Sequence, residues 1–159
     1  MIQNATAPTF KKFALLIAII AWFTIVLQFF LSTGTASNYF SFFTIQNNLL
    51  VAISTTCIAL CGNSVAGKFF NEPEVLSAIA LYIFVVALVY NTVLRGINPL
   101  IGWGILTDTL LHVINPILFL IFWWLKRKHK VLHYKWAFVW LLYPFAYLAY
   151  TLIRGSIVN

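Results

Sequence analysis

From Phe13 to Leu31 the sequence carries no charge, and comparable apolar runs follow at about 42–61, 74–94, 105–125 and 136–153. Each is close to the roughly 20 residues that an α-helix needs to cross a bilayer. Composition points the same way: of 159 residues, 62% are hydrophobic and 8% charged, against about a quarter charged in ordinary soluble domains. A chain with so little surface-forming material must use lipid as its solvent. The expected fold is therefore all-α, a polytopic membrane bundle of five spans forming one integral membrane domain over 1–159.

Short polar punctuation separates the runs. Met1 to Phe10 is polar and expected to fray. Lys11 and Lys12 before an apolar run resemble a secretory leader, with Thr35-Ala36-Ser37 as small residues for cleavage, but the run exceeds a leader's core and reads as a retained first span. Ser32 to Ser41 reads as a loop, and Gly62-Asn63 as the end of the second span. Asn71 with Glu74 has the spacing of a capping box, and Pro73 suits a first turn, so the third span is expected to start near Glu72. Asn98-Pro99, Gly102 and Gly104 mark a turn before the fourth span, with Trp103 suited to the headgroup level.

Charge sets the orientation. With a cytoplasmic N-terminus, the inner side holds Lys11, Lys12, Lys68, Lys126, Arg127, Lys128, Lys130 and Lys135, eight of the ten basic residues. Arg95 and Arg154 remain outside. That asymmetry follows the positive-inside rule. It also accounts for the net charge of +7 without nucleic acid, since the basic residues sit at span ends rather than among exposed aromatics. Cys57 and Cys61, four apart in an apolar helix, read as small buried residues, with no disulfide framework or metal motif. No cofactor is expected.

Under this topology the unusual polar residues gather toward the outer end of the spans. They are Gln28; Thr44, Gln46, Asn47 and Asn48; Asn91, Thr92 and Arg95; Asp108, His112 and Asn115; and Tyr147, Tyr150 and Arg154. Thr44 shares a helix face with Asn47 and Asn48, Asn91 with Arg95, and Asp108 with His112, four residues on. Agreement in depth across five helices points to a shared pocket open to the outer side. Each residue also has a plain structural reading. Thr44 can bond the carbonyl one turn back, carboxamides can join helices, tyrosines can form an aromatic belt, and arginines can snorkel. Asp108 and His112 are harder to dismiss, because ionisable groups inside a span are costly.

A hydroxyl beside an imidazole suffices for nucleophilic acyl transfer. Thr44 is the candidate nucleophile, His112 the base and Asp108 an orienter that fixes the imidazole tautomer. Asn47, Asn48, Asn91, Tyr147 or Tyr150 could donate to an oxyanion, and Arg95 or Arg154 could hold a carboxylate or headgroup.

Three segments, Phe43-Thr44-Ile45-Gln46-Asn47-Asn48-Leu49, His112-Val113-Ile114-Asn115-Pro116 and Tyr143-Pro144 with Tyr147, Tyr150 and Ile153-Arg154-Gly155, resemble a family of small integral-membrane proteins. It includes the androgen-induced and androgen-dependent membrane hydrolases of animals and many bacterial members, the bacterial branch being the closer match. The resemblance covers most of the chain, with short motifs in the right order. It implies a threonine hydrolase of fatty-acid esters of hydroxy fatty acids, with Thr44 and His112 as the catalytic pair and a lipid ester as partner, in a bacterial cytoplasmic membrane. Asp108 is not carried over; it rests on its spacing to His112. Family members commonly have six spans, so a chain ending at Asn159 is expected to be a short or truncated member, with one pocket wall missing or supplied by another subunit. Two other classes stay open: a non-catalytic protein that binds or transports a lipid or small molecule in an outer-side pocket, and a structural membrane subunit.

Overall fold

The computed structural model describes residues 8–97, 99–126 and 135–158. Expectations for Met1 to Ala7, Asn98 and the basic run Arg127 to Lys130 lie outside those residues. The described chain is helical, with α1 (Pro8–Leu31), α2 (Ala36–Phe40), α3 (Phe43–Leu60), α4 (Val65–Phe70), α5 (Pro73–Val89), α6 (Trp103–Thr109), α7 (Asn115–Lys126) and α8 (Lys135–Val158). A π-helical turn, Tyr90–Leu94, extends α5, and a second, Leu110–Ile114, joins α6 to α7. Five helical stretches are long and apolar enough to cross a membrane: Pro8–Leu31, Phe43–Leu60, Pro73–Leu94, Trp103–Lys126 and Lys135–Ile157. The chain is an integral membrane protein of the all-α class.

It forms two compact units, α1 to α7 and α8. In the first, α1 packs on α3, α3 on α5, α5 on α7, and α7 returns to α1, a closed four-helix arrangement. Its tightest seam begins with small residues. Ala14, Ile17, Ala18, Ala21 and Ile25 line the buried face of α1, and alanines at helical spacing let a neighbouring backbone approach closely. Val51, Ala52 and Ile58 of α3, Ile79, Ile83 and Val86 of α5, and Phe119 and Phe122 of α7 complete the core. Polar ties reinforce it: Trp22 Nε1 donates to Thr56 Oγ1 at 3.1 Å, and Trp123 Nε1 to Ser77 Oγ at 2.9 Å. Large side chains such as Ile19, Phe30 and Leu60 face outward, as lipid permits.

Several boundaries differ from the sequence reading. α1 begins at Pro8, ahead of the apolar run, because proline suits the first helical position. The expected loop after it contains α2, whose N-cap Thr35 accepts from the Asn38 amide at 3.2 Å. Tyr39 of that helix is buried, and its hydroxyl donates to the Ile25 carbonyl at 2.6 Å, pinning the turn to α1.

The capping box at Asn71 and Glu74 does not form. Glu72 is the N-cap of α5 and makes no side-chain cap bond. Asn71 instead closes α4, its Nδ2 donating to the Gly67 carbonyl at 2.6 Å while its Oδ1 accepts from Lys126 Nζ. A short helix ending at Asn71 thus claimed a carboxamide that spacing alone had assigned to the helix after it. Gly67 is required there, since a Cβ would stand 1.9 Å from the Cys61 carbonyl oxygen. At the far end of the third span, Gly96 turns the chain with φ +88°, a conformation open to glycine.

Candidate functional site

The fourth span is not one uniform α-helix, and Pro116 explains much of the departure. A proline has no N–H to return to the carbonyl four residues back, here that of His112. Just before it the helix widens. Asn115 N–H reaches five residues back to the Leu110 carbonyl, so it does not serve the Leu111 carbonyl as an α-helical turn would. Two adjacent carbonyls, Leu111 and His112, therefore lack their α-helical donors in a buried stretch.

Two carboxamides from other helices take their place. Asn48 Nδ2 of α3 donates to the Leu111 carbonyl at 3.3 Å, and Asn91 Nδ2 of the neighbouring π turn donates to the His112 carbonyl at 3.0 Å. The same amides also bond within their own helices, Asn48 to the Thr44 carbonyl at 2.9 Å and Asn91 to the Ala87 carbonyl at 2.7 Å. Asn48 Oδ1 in turn accepts from Asn115 Nδ2 at 3.0 Å. Both Nδ2 protons of Asn48 and of Asn91 are thus engaged on backbone carbonyls, which leaves neither residue a spare donor for an oxyanion.

Within this frame sits His112, 8% exposed. Its Nδ1 lies 3.0 Å from the Asp108 carbonyl and 3.0 Å from Asp108 Oδ1. Both are acceptors, so Nδ1 carries the proton and Nε2 keeps its lone pair. The imidazole stacks on the Tyr90 ring, centroids 3.4 Å apart and planes 8° from parallel. The Tyr90 hydroxyl lies near the Asp108 side chain, and Arg95 is close enough for its charge to act on both Tyr90 and His112. Arg95 itself is exposed at the end of its span.

Thr44 occupies the second position of α3, half-buried. Beyond the first turn of a helix, the threonines inside the spans bond carbonyls one turn back, as Thr24, Thr55, Thr56, Thr92, Thr107, Thr109 and Thr151 do, whereas Thr9, in the first turn of α1, does not. A first-turn residue has no preceding helical turn to bond, and the nearest candidate, the Phe40 carbonyl, accepts from Gln46 Nε2 at 3.1 Å. Among the described residues Thr44 Oγ1 and His112 Nε2 have no hydrogen-bond partner, yet neither atom is sealed from its surroundings. The α3 N-terminus is also open: its N-cap is Phe42, with no side-chain cap bond. The backbone N–H groups of Thr44 and Ile45 therefore lack helical acceptors.

Asn47 is fully buried; its Nδ2 donates to the Phe43 carbonyl at 2.7 Å, while its Oδ1, like that of Asn115, has no partner among the described residues. Tyr147, Tyr150 and Arg154 lie on α8, where the two tyrosine rings are 6.3 Å apart and tilted by 47°. Buried hydroxyls also occur deeper than the sequence pattern indicated, at Ser54, Thr55 and Ser77.

Sequence reasoning passed over Tyr90. Its signal was available as an aromatic beside Asn91 at the end of a span, but nothing in one sequence sets it against His112. Among the described residues no cluster of His, Cys, Asp and Glu has the makings of a metal site. No family model, no curated protein and no solved structure matches this chain.

Proposed function

We propose that this chain is an intramembrane hydrolase of lipid esters, with Thr44 as nucleophile and His112 as general base. One observation carries the reading: a hydroxyl and an imidazole nitrogen, both unpartnered and unsealed among the described residues, belong to elements joined by a single carboxamide. Asn48 Nδ2 bonds the carbonyl of Thr44 and that of Leu111, the residue before His112.

In the proposed reaction Thr44 Oγ1 attacks the ester carbonyl carbon as His112 Nε2 takes its proton. The N–H groups of Thr44 and Ile45, at the positive end of α3, donate to the oxyanion. Collapse of the tetrahedral adduct expels the alcohol, which receives the proton from His112, and leaves an acyl-threonine. Water then attacks that ester, giving a proton to His112 Nε2, and collapse of the second adduct frees the acid as His112 returns the proton to Thr44 Oγ1. Asp108 holds the imidazole in the Nδ1–H tautomer throughout. Asn48 and Asn91 have no place in the oxyanion hole. The resemblance to the membrane threonine hydrolases supports fatty-acid esters of hydroxy fatty acids as the substrate class and a bacterial cytoplasmic membrane, N-terminus inside, as the setting.

Labelling of the detergent-solubilised protein by a fluorophosphonate probe tests the assignment. Wild type should be labelled, Thr44→Ser should retain labelling, and Thr44→Ala and His112→Ala should lose it. Labelling that survives Thr44→Ala would sink the nucleophile assignment. A lipid that co-purifies, with no turnover of any ester offered, would favour a binding protein instead.

A further inference from the structure

The geometry points to Asn91 and Asn48 as positioning residues that fix the His112 backbone by replacing two missing N–H donors, each answering a different defect. The inference rests on the hydrolase reading for what His112 does, but not for how its backbone is held. The Leu111 carbonyl is left over because the π turn sends Asn115 N–H to Leu110. The His112 carbonyl is left over because position 116 is proline. Asn48 serves the first at 3.3 Å and Asn91 the second at 3.0 Å. Both donors come from other spans, so the turn bearing the imidazole is gripped from α3 on one side and from the Tyr90–Leu94 turn on another.

The two defects make the two carboxamides separable. Pro116→Ala restores an N–H at position 116, four residues beyond His112, where it can bond the His112 carbonyl in the α-helical manner. The same N–H could serve Leu111 only by continuing the five-residue register of Asn115, and then not His112, so it answers one of the two carbonyls and not both. The expected pattern is asymmetric: Pro116→Ala compensates for loss of Asn91 and not for loss of Asn48.

Thermal unfolding of the full-length protein in detergent reads the first half of the proposal. Asn91→Leu should lower the midpoint by roughly 5 °C, as expected for one stranded buried carbonyl, and Asn48→Leu by more, since it also strands Asn115 Nδ2. In the Pro116→Ala background the Asn91→Leu loss should largely vanish and the Asn48→Leu loss should persist. Should Asn48→Leu fail to accumulate, Asn48→Ala takes its place in both backgrounds. Equal compensation of both losses, or none of Asn91→Leu, overturns the assignment.

Fluorophosphonate labelling per folded molecule, well below the unfolding midpoint, reads the positioning half. Asn91→Leu should be labelled at least about tenfold more slowly, since small displacements of a catalytic group are costly in rate, and Asn91→Leu/Pro116→Ala should recover. Unchanged labelling in folded Asn91→Leu overturns the positioning role. If wild-type labelling does not depend on Thr44, the hydrolase reading fails, while the melting cycle still decides the carbonyl assignments.

Discussion

The phenol ring of Tyr90 lies flat on the imidazole of His112, 3.4 Å between centroids and 8° from parallel. The two residues belong to two different π turns, Tyr90–Leu94 and Leu110–Ile114, and such turns concentrate at functional sites. Its hydroxyl also lies near the Asp108 side chain, so one residue stands beside both the candidate base and its orienter.

The two contacts of Tyr90 can be removed separately. Tyr90→Phe keeps the stack and loses the hydroxyl; Tyr90→Leu loses both. Diethylpyrocarbonate modification at His112, located by peptide mass mapping, should be several-fold faster in Tyr90→Leu and close to wild type in Tyr90→Phe. Equal rates in all three proteins would mean that the ring does not shield the imidazole.

Asp108 holds His112 Nδ1 twice, through its carbonyl and its carboxylate, at 3.0 Å each. Asp108→Asn removes the charge and leaves the carbonyl, so the tautomer survives. Fluorophosphonate labelling should therefore slow on the order of tenfold to a hundredfold, short of the loss in His112→Ala. The unfolding midpoint should barely move, because the asparagine oxygen can still accept from His112 Nδ1.

Tyr39 sits between spans, and burial pushes its phenol up to about 12 from the ordinary 10.0. Its neutral form is the one the fold accommodates. The folded state thus holds a proton that the unfolded chain releases, and stability declines as pH rises from about 10 through about 12. Spectrophotometric titration should show an ionisation near pH 12 that disappears in Tyr39→Phe. A Tyr39→Phe titration curve that differs from wild type only near pH 10 would refute the burial argument.

Gly67 and Gly104 should respond in opposite directions to alanine. At Gly67 the new Cβ meets the Cys61 carbonyl oxygen at 1.9 Å, whereas at Gly104 the nearest atom is a Leu100 methyl 3.9 Å away. Gly67→Ala should destabilise by about 2 kcal/mol, and Gly104→Ala, inside α6, should stabilise by roughly 0.5 kcal/mol. Detergent unfolding curves of the two variants check both signs.

The membrane class and the rough extent of the spans were legible because lipid imposes a length and an apolarity that composition displays directly. Asp108 and His112 were legible as a pair because their spacing lies within one helix. What could not be read were contacts between helices: Asn48 with Leu111, Asn91 with His112, Tyr90 with His112. A carboxamide looks the same in sequence whether it serves a substrate or a stranded carbonyl. Pro116 stands in the sequence as the last residue of the segment that begins at His112, but the carbonyl it strands, and the amide that answers, depend on neighbours far along the chain. Asn71 failed for a related reason, since α4 was not anticipated.

A π turn accommodates one residue more than the α turn it replaces. The fourth span therefore carries, around His112, the equivalent of a single inserted amino acid, and the helix above it is out of phase with the helix below by about 100°. Outward and inward faces traced from Trp103 do not continue into the faces that end at Lys126. Deleting one residue between Leu110 and Ile114 would bring the two halves back into phase without shortening the span by more than about 1.5 Å. The result would be a better membrane helix, with its histidine turned to a different neighbour.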